Sequence, residues 1–328
     1  MANTPTVSII IPNYNYSRFL DERFRSVLAQ TYRDYEIIFL DDASTDNSVE
    51  LIREKYSSYV TRLEINPSNS GSPFVQWNKG VRLSRGEYIW IAEADDTCAP
   101  DFLERAVSIL RNNPSVGLVY CHTLPINTEG QILTEHFYLN YVADLDAFRW
   151  TSDFQNDGKS EVREYLCLKN TITNVSGVLF RRSAYIKAGY APEAMRMCGD
   201  WMFYCRLLRY DGIAYISIPL NFHRQHVAKQ TVNSVLDLTY FREFLQVQEY
   251  LIENFEIPSF RRRNMFHRFI REWDRLVFSG YGRIGLKGNL RIAQMTMVHY
   301  VNPDERFVIF LHFLLNVLKS MITKWLKK

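Results

Sequence analysis

Apolar runs and helical repeats alternate along the first third of the chain. Residues 7–11, Val-Ser-Ile-Ile-Ile, form a β-branched run that stops at Pro12 and predict a buried strand. Phe19, Leu20, Phe24, Val27 and Leu28 then recur at helical spacing, with Asp21 and Glu22 in the first turn, where a helix dipole favours acids. Residues 35–40 read as a second strand, closed by Asp41, Asp42, Ser44, Thr45 and Asp46, a cluster of capping residues ahead of a helix at Val49. A strand over 61–65, a polar loop over 66–73, a helix over 74–83, a strand over 88–92, a helix over 102–110 and a strand over 116–120 continue the rhythm.

This alternation implies βαβ units with right-handed crossovers, hence an α/β fold with a mostly parallel central sheet flanked by helices. A parallel sheet brings its strand ends to one rim, and ligands in open α/β sheets bind outside that rim. Three polar clusters are expected there: residues 12–15, 41–46 and 93–96. The first strand–helix junction lacks Gly-x-Gly-x-x-Gly, which argues against a nicotinamide or flavin domain.

The last cluster carries the candidate chemistry. The apolar run 88–92 stops at Glu93, Asp95 and Asp96, and a Pro100-Asp101 helix start follows. Adjacent carboxylates at the end of a buried strand suit a hard divalent cation, Mg²⁺ or Mn²⁺, which takes oxygen ligands and shares them with substrate phosphates. The same residues also make an ordinary polar turn before a helix.

Beyond the first 120 residues the rhythm lapses. Residues 123–170 read as an irregular insertion with short helices. Order resumes with a strand over 173–180, a helix over 183–187, a helix opened by Gly199-Asp200-Trp201, and strands over 213–218 and 220–224 ahead of His226. Charge divides the chain: residues 1–228 hold 23 Lys+Arg and 27 Asp+Glu, a net of −4, and residues 229–328 hold 16 and 9, a net of +7. Two regions are expected, 1–228 as the α/β domain and 229–328 as a basic, mainly helical C-terminal region. Five scattered cysteines without a C-x-x-C pair fit a reducing compartment, and no basic-then-apolar leader opens the chain, so a cytoplasmic location is expected. Near the end Phe307, Phe310, Leu311, Leu314, Leu318, Met321, Ile322 and Trp325 recur at helical spacing beside Lys319, Lys324, Lys327 and Lys328. That pattern suits a helix peripheral to an anionic membrane at its inner face, and equally a helix covering the α/β domain with its lysines in solvent.

Val7 to Asn15, Ser26-Val-Leu-Ala-Gln30, Tyr35 to Asp46, Gly86-Glu-Tyr-Ile89 and Asp95-Asp96 together resemble the inverting nucleotide-sugar glycosyltransferases of family 2, which have the GT-A fold. Asn174 to Arg182, Gly199-Asp200-Trp201 and Asn221-Phe-His-Arg224 are similar to that family's acceptor-side half. The resemblance implies that Pro12 and Tyr14 line the base pocket, Tyr14 by stacking, and that Asp42 hydrogen-bonds the base with Asp41 supporting the loop. It also implies that Asp95 and Asp96 hold ribose and metal, with Asp96 the direct metal ligand, and that Asp200 is the catalytic base. The chain departs from the family pattern at Glu93, where Asp is usual, and at Gly199, where an acid is usual.

Sugar transfer from a nucleoside diphosphate needs charge neutralised on the leaving diphosphate and a base for the acceptor hydroxyl. The expected donor is a nucleoside-diphosphate sugar, with UDP favoured, and the expected acceptor a glycan or lipid-linked saccharide; nucleic acid is not an expected partner. His226 is a candidate third metal ligand or diphosphate contact, or a plain loop residue, and Trp201 is either a platform for an acceptor sugar or a packing residue of its helix. Trp77 and Asn78 read as stabilising the helix at Pro73. A nucleotidyltransferase would carry a Gly-rich phosphate loop where this chain has Asn13-Tyr14-Asn15, and a non-catalytic sugar-binding relative would lack Asp96 or Asp200.

Overall fold

The structure is a computed structural model, and it describes residues 4–225, 237–278, 284, 286–300 and 302–325. The chain divides into two compact units. The first comprises the described residues up to Val162 together with Thr171–Ala194 and 202–225; the second comprises Arg163–Asn170, Met195–Trp201 and the described residues from Asp237 on.

In chain order the elements are β1 (Val7–Asn13), α1 (Ser17–Leu28), β2 (Tyr35–Asp41), α2 (Ser48–Leu51, running on as a wider turn Ile52–Tyr56), β3 (Arg62–Ile65), α3 (Pro73–Leu83), β4 (Tyr88–Ile91), β5 (Thr97–Cys98), α4 (Phe102–Asn112) and β6 (Val116–Ile126). There follow α5 (Phe137–Val142), β7 (Phe154–Asn156), α6 (Gly158–Glu161), β8 (Val178–Arg181), α7 (Arg182–Lys187), α8 (Gly199–Leu207) and β9 (Gly212–Arg224). The chain goes on with α9 (Thr239–Asn254), α10 (Ser259–Phe278), α11 (Leu286–His299) and α12 (Pro303–Trp325). The division between units falls within α8, between Trp201 and Met202.

All strands belong to the first unit and form one mixed sheet in the order β3-β2-β1-β4-β8-β6-β9-β5, with β7 also paired to β9. The half predicted by the βαβ rhythm, β3-β2-β1-β4, is parallel throughout. β8 enters between β4 and β6 antiparallel to both, because it is reached from the long insertion and not through a βαβ crossover. β9 runs parallel to β6 and carries β5 and β7 antiparallel on its flank. β1 and β4 are buried along their whole length, as strands covered by helices on both faces must be. Leu20, Phe24, Phe102, Leu103 and Leu110 supply helical side chains to a core built on Ile9, Ile11, Phe39 and Trp90. Gly80 lets α3 seat against β1, since a Cβ there would lie 2.4 Å from Ile10 Cγ2.

Residues 123–170 are better ordered than their pattern suggests. β6 extends to Ile126, and Tyr120, Tyr138, Trp150, Phe154 and Tyr215 pack together. Trp150 Nε1 donates to the Tyr120 hydroxyl at 2.8 Å, and the Tyr138 hydroxyl donates to Thr171 O at 2.8 Å. These rings come from separate segments, so no local period announces them. The strand expected from Thr173 begins only at Val178, after a 3₁₀ turn Val175–Gly177. The two strands expected over 213–224 are one, β9, whose register with β6 shifts around His122.

In the second unit Phe241, Phe244, Met265, Phe269, Trp273 and Ile292 are buried. Glu243 accepts the amides of Arg196, Met197 and Cys198 at 2.8, 2.8 and 2.9 Å, which fixes the turn leading into α8. Trp273 Nε1 donates to Asn289 Oδ1 at 2.9 Å. Among the described residues no helix is long and apolar enough to cross a membrane.

Candidate active site

The parallel half of the sheet delivers its carboxylates to one rim. Asn13 and Asp41 are register partners at the ends of β1 and β2, and the Glu93–Asp96 segment leaves β4 just beyond the pair Ile10 and Ile91. Asp41, wholly buried, accepts from Ser44 N at 2.8 Å and from Asn13 Nδ2 at 2.9 Å. It therefore fixes the turn after β2, where Ala43 holds the left-handed φ of 63°. The turn after β1 does the same at Asn15 (φ 60°), whose Oδ1 accepts from Thr45 N at 2.7 Å. Left-handed non-glycine residues are strained, and they recur where a site needs a particular turn. Between these turns Pro12 is buried and Tyr14 is 44% exposed.

Asp42 is 5% exposed and its carboxylate is fully engaged. Oδ1 accepts from Asn66 Nδ2 at 2.6 Å and Gln76 Nε2 at 2.8 Å, and Oδ2 accepts from the Ser70 hydroxyl at 2.7 Å. In this structure it organises the 66–76 loop.

The acid segment after β4 is tied down by residues that the sequence reading placed in the acceptor-side half without giving them this role. The Ser176 hydroxyl donates to Asp96 Oδ2 at 2.6 Å and accepts from Glu93 N at 3.1 Å. Asn174 Nδ2 donates to Asp96 Oδ2 at 3.0 Å, and Arg224 N donates to Asp96 Oδ1 at 2.9 Å. The buried Arg224 guanidinium holds Asp95 O at 2.7 Å, Asn127 O at 2.7 Å and Glu22 Oε2 at 2.5 Å. Asp96 is 1% exposed with both oxygens occupied by donors, whereas Glu93 and Asp95 are only partly buried. Asp96 accepts one of these bonds on Oδ1 and two on Oδ2, so Oδ1 keeps a lone pair for a cation, and Asp95 and Asp96 both stand as candidate ligands.

Charge in the segment is unbalanced. Burial, then the Asp96 carboxylate, push Glu93 up to about 7 against the lowering effect of its hydrogen bond from Trp77 Nε1, 2.7 Å long, and of Arg23. Burial and the neighbouring Asp96 and Glu93 push Asp95 well above the usual carboxylate range. The Tyr16 phenol is pushed upward by burial and by Asp95, Glu93 and Asp96, which places it beside the cluster. Crowded carboxylates that resist ionisation are what a divalent cation relieves, and their oxygens are the donors Mg²⁺ and Mn²⁺ prefer. Among the described residues no group of three or more His, Cys, Asp or Glu is arranged to hold a metal ion. His226 lies outside the described residues. Trp77 serves the site through its bond to Glu93. Asn78 instead fastens the 190–193 loop, donating to Ala191 O at 2.9 Å.

Asp200 stands in the first turn of α8, in the second unit. Its Oδ1 accepts from Trp201 N at 2.7 Å and its Oδ2 from Asn170 Nδ2 at 2.9 Å. Burial raises it to about 6, opposed by those two bonds, so it is ionised at neutral pH yet basic enough to take a proton. Trp201 does not offer a ring face to a sugar. It is 3% exposed, donates from Nε1 to Leu166 O at 2.9 Å and packs edge-on against Phe244 at 5.1 Å. The ring is taken up by packing, the second of the two readings its sequence position allows.

Known proteins bear on this arrangement. A chondroitin synthase of Escherichia coli is 33% identical over 137 residues, 42% of this chain and 20% of its own. A glycosyltransferase of Haemophilus influenzae is 27% identical over 260 residues, 77% of this chain and 81% of its own. A poly(ribitol-phosphate) beta-glucosyltransferase of Bacillus spizizenii is 27% identical over 230 residues, 66% of this chain and 35% of its own. This chain thus spans about a fifth of the chondroitin synthase's length and about a third of the B. spizizenii enzyme's. Among solved structures, S. aureus TarS 1-349 in complex with UDP-GlcNAc superposes with a TM-score of 0.72 at 14% identity, covering 95% of this chain and 89% of that one. The Pyrobaculum calidifontis mannosyltransferase PcManGT in complex with GDP-Man and Mn²⁺ gives 0.58 at 17% identity, covering 100% and 89%. At these identities the likeness shows the fold, which is GT-A. The model of Glycosyl transferase family 2 matches residues 8–188, more than half of the chain, and with the carboxylate rim described above this makes the protein a glycosyltransferase of family 2.

Proposed function

We propose that the protein transfers a sugar from a nucleoside-diphosphate sugar, with UDP favoured, to a hydroxyl of a glycan or lipid-linked acceptor, inverting the anomeric centre and depending on Mn²⁺ or Mg²⁺. The observation that carries this reading is the rim of the parallel strands, where the Glu93–Asp96 segment leaves β4 beside the ends of β1 and β2 and is held there by Ser176, Asn174 and Arg224 N on Asp96. Asp95, supported by Glu93, would hold the metal, which would supply Lewis-acid neutralisation of the leaving diphosphate. Asp96 keeps the segment in place. The exposed Tyr14 ring stacks on the base beside Pro12, and Asp41 and Asp42 shape the two loops that flank it. Asp200, raised to about 6, accepts the proton of the attacking hydroxyl. A full cage of protein ligands is not required, because diphosphate oxygens would complete the cation's shell. The reading includes work at the inner face of a membrane, where a lipid-linked acceptor is held in surface polysaccharide synthesis. The B. spizizenii relative's named activity on poly(ribitol phosphate) supports a surface-polymer acceptor, and the UDP-GlcNAc complex of TarS supports a UDP-sugar donor.

The test is a thermal-shift titration with UDP, GDP and dTDP, each with and without Mn²⁺, since a ligand bound only by the folded state raises stability by mass action. The expected result is stabilisation by UDP that requires the metal. Asp200→Asn should abolish transfer and leave that stabilisation intact; undiminished transfer removes Asp200 as the base.

A further inference from the structure

α12 turns an apolar stripe outward. Phe307, Phe310, Leu311, Leu314 and Leu315 are 62, 48, 42, 40 and 50% exposed. They follow the i, i+3, i+4, i+7, i+8 spacing, which places them on one face of the helix. Other positions hold the helix in its unit: Ile309 is fully buried, and His312 Nε2 lies 2.7 Å from Asp274 Oδ1 on α10, with its ring 5.7 Å from Trp273. Over residues 307–315 the helix is therefore docked by its other positions and turns this apolar stripe to the outside. Scattered apolar residues need no explanation on a surface, but five large ones in register mark a face that something covers.

Charge selects the occupant. From Arg306 to Lys328 the sequence carries Arg306, Lys319, Lys324, Lys327 and Lys328 and no acid. A second copy meeting the same face in parallel would set these cations against their equivalents, and an antiparallel one would offer them only Asp304 and Glu305. An anionic bilayer supplies acyl chains for the stripe and negative headgroups for the basic residues that follow it. A helix of 23 residues reaches about 35 Å, enough to lie along a surface as one continuous contact.

We infer that α12 is a membrane-surface helix, lying in the plane of an anionic bilayer with Phe307, Phe310, Leu311, Leu314 and Leu315 toward the acyl chains. This rests on the reading above in placing the acceptor at a membrane, but vesicle binding is measured without any transfer reaction.

The experiment is co-sedimentation of the full-length protein with vesicles of phosphatidylcholine alone and of phosphatidylcholine mixed with phosphatidylglycerol. Wild type should bind the mixed vesicles and bind neutral ones at least about tenfold more weakly, given the contribution of each basic residue near a charged surface. Phe307→Ser/Phe310→Ser/Leu314→Ser should lose the binding with its circular dichroism and melting temperature unchanged, because all three side chains are already exposed. Lys319→Gln/Lys324→Gln should weaken binding to mixed vesicles about tenfold or more. Wild type that ignores both vesicle types, a triple variant that binds as well as wild type, or a stripe-dependent dimer in light scattering without lipid overturns the inference. Transfer to a soluble acceptor reports separately on the proposed activity: its absence in wild type counts against that reading alone.

Discussion

The Ser176 hydroxyl bridges two members of the acid segment, donating to Asp96 Oδ2 at 2.6 Å and accepting the Glu93 amide at 3.1 Å. Ser176 lies in the turn ahead of β8, the strand inserted antiparallel beside β4, so the sheet itself carries this hydroxyl to the motif. Trp90 Nε1 donates to Ser176 O at 2.7 Å and locks the turn from its other side. Ser176→Ala should cost about 1–3 kcal/mol by leaving buried groups short of a partner. It should also weaken metal-dependent UDP stabilisation, because Glu93 loses its backbone tether. Chemical denaturation and the nucleotide thermal shift measure the two effects, and loss of stability with unchanged nucleotide binding would separate the turn from the site.

Asp95 and Asp96 should respond to amide substitution in opposite ways. Asp95→Asn removes one member of a mutually repelling cluster, so the metal-free protein should keep or gain melting temperature while Mn²⁺-dependent UDP binding disappears. Asp96→Asn sets an amide among donors from Ser176, Asn174 and Arg224 N, and should destabilise the protein by about 1–3 kcal/mol even without ligand. Equal losses of stability in the two variants would contradict the division between a ligating and a positioning carboxylate.

The pH dependence of the metal-free protein follows from Glu93. Its carboxyl rises from the ordinary 4.5 to about 7 on folding, so between those values the folded state binds more proton than the unfolded chain. Stability from this group is therefore present below about pH 4.5 and is lost as pH climbs to about 7. The melting temperature of wild type relative to Glu93→Gln should fall from pH 5 to pH 8, and Mn²⁺ together with UDP at pH 8 should restore it. A difference that is flat with pH would show that Glu93 is already ionised at the acid end.

Ala43 holds a left-handed φ of 63° in the turn fixed by Asp41 and Ser44. Glycine adopts that conformation without its Cβ clash, so Ala43→Gly should stabilise the protein by up to about 1 kcal/mol, with donor affinity unchanged. Denaturation midpoints decide it, and a destabilised variant would mean that the methyl group's packing outweighs the relief of strain.

The periodic part of the sequence determined the parallel half of the sheet. The runs 7–11, 35–40 and 88–92 became β1, β2 and β4, because β-branched and aromatic residues between helical repeats leave the backbone few other ways to bury them. The same runs located the acids at one rim, since parallel strands end together. Tertiary structure decided what each acid does. Asp95 and Asp96 are adjacent in sequence, yet the topology presents Ser176, Asn174 and Arg224 to Asp96 from segments far along the chain. It also decided that Trp201 is packing and that the stripe on α12 faces outward. Local spacing fixes which face of a helix is apolar, whereas the elements that come to lie against it settle whether that face is buried.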